Sequence, residues 1–163
     1  MKTIRVAALV VPMILVVAVG GVAADLSPER LYNQANQQFW DGEYQRAEST
    51  FRTLLKEYPD SDFYLDARYG LGRTLYKQGK MKDSLDHFQA VRRNHPESSV
   101  RGDALFSMAE VAILRNRTIR ARELLRTFLD LFPDHVLEST AREQLTLLED
   151  TAEPEPEARG ESG

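Results

Sequence analysis

The stretch that decides the fold reads ARYGLGRTLYKQGKMKDSLDHFQAVRRNHP, residues 67–96 of a chain of 163. Residue types within it recur 37 positions earlier and 37 positions later. The recurring sets are Tyr32, Tyr69 and Phe106; Ala35, Gly72 and Ala109; Gly42, Gly79 and Asn116; Ala47, Ser84 and Ala121; Phe51, Phe88 and Leu125; Leu54, Val91 and Phe128; and Pro59, Pro96 and Pro133. One period shared by so many classes of position indicates three copies of one structural unit.

The turn and crossing positions of this unit have physical explanations. Gly42, Gly79 and Asn116 should join two helices through a left-handed backbone, which Gly adopts freely and Asn tolerates. Small residues such as Ala35 and Gly72 suit a close crossing of two helices. The proline of each unit stops the second helix, because proline disrupts a helix interior. Each unit is therefore predicted to be a helical hairpin.

The predicted helices cover about 28–40, 44–57, 62–78, 81–94, 99–115, 118–131 and 136–149. Ser27, Pro28 and Glu29 suit the start of the first helix. The last helix has an apolar stripe through Ala141 and Leu145 and should cap the array. The predicted fold class is all-α, a solenoid of three helical hairpins plus a C-terminal capping helix. The domain spans 25–149, with repeats at about 28–60, 65–97 and 102–134.

The N-terminus carries the pattern of a signal peptide over residues 1–24. Lys2 and Arg5 precede an uncharged stretch, 6–24, and small residues end it. This pattern predicts cleavage between Ala24 and Asp25 and export of the protein. The alternative is an uncleaved anchor, because 19 uncharged residues just reach membrane-spanning length.

The opposite end is acidic and rich in proline. Residues 149–163 contain six acidic residues and one basic residue, whereas the whole chain has a net charge of −4. Residues 150–163 show no apolar period and are predicted to be a disordered tail. The absence of a net basic charge argues against nucleic-acid binding.

Side chains for catalysis or metal binding are not grouped in the sequence. Cysteine is absent, which excludes disulfides, thiol catalysis and cysteine-ligated metals. His87, His95 and His135 are widely separated, and His95 occupies the repeat position of Tyr58 and Phe132, which indicates packing. The sequence therefore predicts a protein that is not an enzyme and uses no cofactor, metal or small-molecule substrate.

These repeats resemble the tetratricopeptide repeat (TPR) family. Leu71 and Gly72, followed by Ser84, Phe88 and Pro96, stand in the family's order, with a period of 37 residues where about 34 is usual. The resemblance implies a right-handed α-solenoid that binds other proteins.

The turns that follow the repeats resemble those of particular groups within the TPR family. They read Tyr-Pro-Asp-Ser (58–61), His-Pro-Glu-Ser (95–98) and Phe-Pro-Asp-His (132–135). This pattern is similar to the C-terminal TPR region of the periplasmic, Tol-Pal-associated CpoB (YbgF) family, and more loosely to BamD-like assembly lipoproteins. The first implies a periplasmic cell-division scaffold that binds an envelope protein or peptide, such as a Tol-Pal component. The second implies an accessory in outer-membrane protein assembly.

The TPR resemblance also implies a concave groove lined by the first helix of each hairpin. Its residues would be Tyr32, Asn36, Trp40, Asp66, Tyr69, Arg73, Tyr76, Lys77, Asp103, Phe106 and Glu110. Rings and a few charges suit an extended or helical peptide, because rings supply contact area and charges set orientation. The alternative is that Tyr32, Tyr69 and Phe106 mainly pack between helices. Trp40, the single tryptophan, is expected to be exposed.

Arginines cluster around the third predicted turn. Arg115, Arg117, Arg120 and Arg122 suggest a docking patch for an anionic partner. The alternative is a solvated face whose arginines pair with neighbours such as Glu123.

Overall fold

The computed structural model describes residues 27–94, 98 and 100–150. Within these ranges the chain forms helices and no strand. The helices are α1 (Pro28–Trp40), α2 (Tyr44–Glu57), α3 (Tyr64–Lys77), α4 (Met81–Asn94), α5 (Val100–Leu114), α6 (Thr118–Leu131) and α7 (Glu138–Asp150). The predicted signal segment 1–24, with its cleavage site after Ala24, and residues 151–163 of the predicted tail lie outside the described residues.

The helices pair in sequence order. α1 packs on α2, α3 on α4 and α5 on α6, and the hairpins are joined through α2–α3 and α4–α5. The first helices of successive hairpins also touch, α1 with α3 and α3 with α5. Among the described residues, the second helices α2, α4 and α6 make no comparable contact with one another. The first helices therefore lie on the tighter, concave side, and the predicted all-α solenoid is confirmed.

The three hairpin turns share one backbone conformation. Gly42 and Gly79 have φ angles of 77° and 76°, and Asn116 has a φ of 53°. Asn116 is the one non-glycine residue with positive φ in the part of the chain that the structure describes. The prediction made from the Gly–Gly–Asn position is confirmed, because only these residue types adopt this conformation at low cost.

Close crossings explain the small residues of the repeat. A Cβ added to Gly72 would lie 2.6 Å from Cε1 of the buried Phe88. A Cβ added to Gly70 would lie 2.5 Å from Cζ of Phe51, which is also fully buried. Both glycines therefore leave room for buried phenylalanine rings of the neighbouring helices, which pack directly against α3.

The helix α7 continues the period beyond the third hairpin. Ala67, Ala104 and Ala141 are 37 residues apart, and each is fully buried. α7 packs on α6, where the first helix of a fourth repeat would lie. It covers the last hairpin in the manner predicted for a capping helix.

Polar side chains accept backbone N–H groups at the start of α1 and in the turns just before α3 and α7. Ser27 Oγ accepts a hydrogen bond from the backbone N–H three residues later, at 3.3 Å. Ser61 Oγ and His135 Nδ1 hold equivalent repeat positions, and each accepts the N–H two residues later, at 3.1 and 3.2 Å. Serine and histidine thus perform one local task at the same point of two repeats.

All described helices are short. The longest is α5, with 15 residues, whereas a bilayer requires about 20 apolar residues. None of the helices within 27–94 and 100–150 could therefore span a membrane.

A polar bridge joins the first two hairpins on the convex side. Glu48 of α2 accepts hydrogen bonds from Lys80 Nζ at 2.7 Å and Gln78 Nε2 at 2.8 Å, both after α3. Arg52 of its own helix donates a third, at 2.9 Å. Burial acts to raise the pKa of Glu48, but the three donors outweigh it and lower this pKa from 4.5 to about 2.

We expect Glu48→Gln to lower the free energy of unfolding at pH 7 by about 1–2 kcal/mol, with the value reduced because Arg52 and Lys80 are about half exposed. The folded-state pKa lies below the unfolded-state pKa. The carboxylate therefore stabilises the protein above pH 4.5, and this contribution disappears as the pH falls towards 2. Urea unfolding of both proteins at pH 7 and pH 3 should show the difference shrinking by more than about half.

The control is Glu57→Gln, because Glu57 pairs only on the surface with the adjacent Lys56 at 2.7 Å. It should cost less than about 0.5 kcal/mol at pH 7. A difference between Glu48→Gln and the parent that is equally large at both pH values would contradict the bridge.

Candidate partner-binding groove

A cavity of about 330 Å³ opens between α3 and α5 on the concave side. Phe88 and Leu137 complete its wall. Six of the predicted groove residues line it, namely Tyr69, Arg73, Tyr76, Lys77, Phe106 and Glu110. The volume suits a few side chains of a partner, at the lower end of the range for ligand pockets.

Arg73 connects this cavity with the first repeat. Its guanidinium lies over the rings of Phe39 and Trp40 of α1, 4.5 and 5.3 Å from their centroids. Phe39 is buried and supports Trp40 edge-on at 5.3 Å, whereas Trp40 is 72% exposed, as the sequence predicted. Arg73, Phe39 and Trp40 thus form a cation–aromatic platform beside the cavity, held by cation–π attraction.

Three carboxylates lie on the concave side. Burial raises the pKa of Asp66, Asp103 and Glu110. For Asp103, His135 and Arg73 act in the opposite direction, and the charge of Asp66 raises the pKa further. At each of the three acids, burial therefore outweighs the groups that lower the pKa.

Tyr69 links the two helices that form the cavity. Its hydroxyl lies 3.3 Å from the Ser107 hydroxyl of α5, and its ring packs 5.7 Å from that of Phe88. Burial raises the pKa of Tyr69, so the phenol keeps its proton. The sequence did not predict Ser107 as a groove residue, because a single serine at the repeat position of Gly70 signals only that the position is small.

Some predicted groove residues serve packing instead. Tyr32 lies 5.3 Å from the ring of Phe63, and Phe106, only 5% exposed, lies 5.7 Å from Phe128. Asn36 is half-buried and does not line the cavity. Tyr32 and Phe106 therefore pack against rings of neighbouring elements. Partner binding by the whole set of groove residues stays a prediction.

The fold brings three of the four arginines of the predicted patch together. Arg115, Arg117 and Arg120 line a cavity of about 120 Å³ with apolar side chains of α4, α5 and α6, and Arg122 does not. Arg120 pairs with Glu123 at 2.8 Å, as expected for a solvated face. Docking of an anionic partner on this patch stays a prediction.

The two described histidines lie in different parts of the fold, His87 in α4 and His135 in the turn before α7. His87 is half-buried in α4, and burial, with Arg68 and Arg52, lowers its pKa. His135 packs edge-on against Phe128 at 5.2 Å, and its Nε2 lies 3.7 Å from Asp103. Within the described ranges no group of three or more acids and histidines could hold a metal ion. His95 lies outside them.

Residues 32–99 match the tetratricopeptide repeat family. Solved structures share the fold. The Yersinia enterocolitica type III secretion translocator chaperone SycD has a TM-score of 0.64 and 18% identity, covering 74% of this chain and 82% of that one. MamA from Desulfovibrio magneticus RS-1, from residue 41 to its end, has a TM-score of 0.57 and 22% identity over 80% of both chains.

At these identities the solved structures establish the fold alone. None of the curated proteins matches the sequence significantly. The described residues thus form an all-α solenoid of TPR-like helical hairpins, an architecture that presents a concave surface.

Proposed function

We propose that this protein is a non-enzymatic scaffold that binds a segment of another protein in its concave groove. The observation that carries the proposal is the cation–aromatic platform. Trp40 keeps 72% of its surface exposed although Phe39 and Arg73 hold it in place. A large ring that is fixed but uncovered, next to a cavity, is the kind of anchor on which protein interfaces concentrate their binding energy.

The size of the site favours a segment over a folded domain. The cavity of about 330 Å³ has room for a few side chains, and Tyr69, Tyr76 and Lys77 border it from one helix. A peptide laid across α1, α3 and α5 would cover the platform and place side chains in this cavity. Aromatic walls would supply contact area, and the charged groups would set its orientation.

For location and partner we propose the periplasm and an envelope protein of the Tol-Pal system. The support is the signal-peptide pattern over 1–24 and the similarity of the repeat turns to the CpoB family. A role like that of BamD in outer-membrane protein assembly is the alternative. If segment 6–24 were not cleaved, the protein would instead be anchored in the inner membrane, facing the periplasm, and N-terminal sequencing of the exported protein distinguishes the two.

Photo-crosslinking in the native host tests the binding site. A photoreactive residue in place of Trp40 should capture a defined partner, and the same residue in place of Ser49 on the convex helix α2 should not. Triple replacement of Tyr69, Arg73 and Lys77 by alanine should remove the crosslink formed at Trp40 while helicity, measured by circular dichroism, is kept. The identity of the captured protein separates the Tol-Pal role from the assembly role.

A matched triple variant controls for general surface effects. Alanine at Arg46, Lys56 and Arg93, all exposed on α2 and α4, should leave the crosslink at Trp40 intact. If the groove variant keeps its helicity and still crosslinks like the parent, the groove is not the binding site.

A further inference from the structure

Opposite charges lie at two levels of the concave face. Asp66 and Asp103 hold equivalent positions in the first turns of α3 and α5, 37 residues apart. Arg73 and Lys77 follow in the second half of α3. Because an α-helix rises 1.5 Å per residue, Arg73 lies about 10 Å along the axis from Asp66. The groove thus presents Asp66 and Asp103 at one end and two cations at the other, where Glu110 holds the repeat position of Arg73.

The acids of this face have few partners inside the protein. In the described residues, Asp66 and Glu110 form no ion pair, and Asp103 has one long contact, of 3.7 Å, with His135. Arg73 and Lys77 form no ion pair either, but Arg73 lies over the rings of Phe39 and Trp40, and Lys77 is exposed. The half-buried acids therefore lose hydration while gaining at most this one long contact.

The convex side shows the opposite arrangement. Its ion pairs include Lys80–Glu48, Lys82–Asp86, Arg46–Glu43 and Arg120–Glu123, at 2.6 to 3.3 Å. These sites are as rich in charge as the groove, so composition does not explain why the groove charges are unpaired. An acid in a first helical turn stabilises the helix dipole, but Asp83 of α4 does this while exposed. The partial burial of Asp66 and Asp103 therefore needs another explanation.

We propose that the groove selects a protein segment carrying a lysine or arginine and, about 10 Å away, a carboxylate. The cation would lie between Asp66 and Asp103. The carboxylate would meet Arg73 and Lys77 on the α1 side of α3, where Arg73 lies over Trp40. This names the partner chemistry of the proposed binding site and rests on that function.

The distance of about 10 Å between the two ends predicts a sequence pattern in the bound segment. In an extended, polyproline-II-like segment, residues i and i+3 point to the same side and lie about 9 Å apart. A helical segment, about 10–12 Å across, is too wide to enter a cavity of about 330 Å³, which has room for only a few side chains. The favoured segment is therefore extended, with a basic and an acidic residue three positions apart, in either order because an extended chain can run in both directions.

A displayed library of random peptides about twelve residues long provides the probe. Selection on the purified chain should enrich peptides with Lys or Arg three positions from Asp or Glu. Selection on the Arg73→Glu, Lys77→Glu variant should enrich peptides with two basic residues at that spacing instead. Enriched synthetic peptides should lose about tenfold in affinity, measured by fluorescence anisotropy, when either charged residue becomes Gln.

The controls separate charge recognition from stability and from the proposed function. Asp83→Asn removes a first-turn acid outside the groove and should leave peptide affinity unchanged, whereas Asp66→Asn with Asp103→Asn should lower it about tenfold. Some enriched peptides could bind the parent without this charge pair and fail to bind the triple alanine variant of Tyr69, Arg73 and Lys77. Such peptides would contradict the charge rule but would still support binding in the groove. If the parent enriches no peptide over that triple variant, both proposals are wrong.

Discussion

Replacement of Phe128 by alanine should lower the free energy of unfolding by about 3–5 kcal/mol. Phe128 is fully buried in α6, and its ring contacts Phe106 at 5.7 Å, Phe132 at 5.9 Å and His135 at 5.2 Å. These neighbours belong to α5, to the end of α6 and to the turn before α7. One ring therefore holds the third hairpin and the capping helix together. The loss compares with a total of about 5–15 kcal/mol for a typical domain.

Urea unfolding monitored by circular dichroism measures the loss, with Leu131→Ala as the control. Leu131 lies on the same helix but is 49% exposed, so its replacement should cost less than about 1 kcal/mol. Trp40 fluorescence adds a second readout, because the single tryptophan reports on the first hairpin and its contact with Arg73 of α3, far from the third hairpin. In Phe128→Ala the helical signal should be lost at lower urea than the Trp40 signal, as expected when one end of a repeat array unfolds first. Equal stability of the parent and Phe128→Ala would contradict this account of the core.

Replacement of Gly72 by leucine should cost about 3 kcal/mol. Its first added carbon would already lie 2.6 Å from the Phe88 ring, which is 1% exposed and packs against Tyr69. The ring has no solvent to move into, so α3 and α4 must separate. Gly72→Ala should be milder, because the higher helix propensity of alanine, about 1 kcal/mol, offsets part of the clash.

The control for Gly72→Leu is Ser49→Leu on the exposed side of α2. It introduces leucine into a helix without a neighbouring ring and should change the free energy of unfolding by less than about 0.5 kcal/mol. Urea unfolding of the three variants gives the comparison. If Gly72→Leu is as stable as the parent, the close crossing does not limit the size of this residue.

The helices and turns could be predicted because their causes are local. A left-handed turn requires Gly or Asn, and the φ angles of Gly42, Gly79 and Asn116 agree with this. A proline beyond the first turn disrupts a helix, and α2 ends at Glu57, just before Pro59. The 37-residue period repeats these local instructions, so the order of helices and the capping role of α7 followed from the sequence.

The binding surface could be predicted only in part. The aligned repeat positions marked Tyr69, Arg73, Tyr76, Lys77 and Glu110, which line one cavity. The same alignment also included Tyr32 and Phe106, which face packed rings, because aromatic residues at helical spacing look alike whether they are covered or open. Exposure depends on what another helix places above a side chain, and a single repeat does not contain that information.

The sequence by itself determined an all-α repeat array, its turns, its small crossing residues and an exposed position for Trp40. Only the tertiary structure decided that Arg73 lies across the first two repeats over Trp40, that Ser107 meets Tyr69, and that Asp103 has a contact of 3.7 Å with His135. The physical reason is distance along the chain. Hydrogen-bonding, turn and helix preferences act over a few residues, whereas these contacts join residues more than 30 apart in sequence, and their geometry exists only once the hairpins have packed.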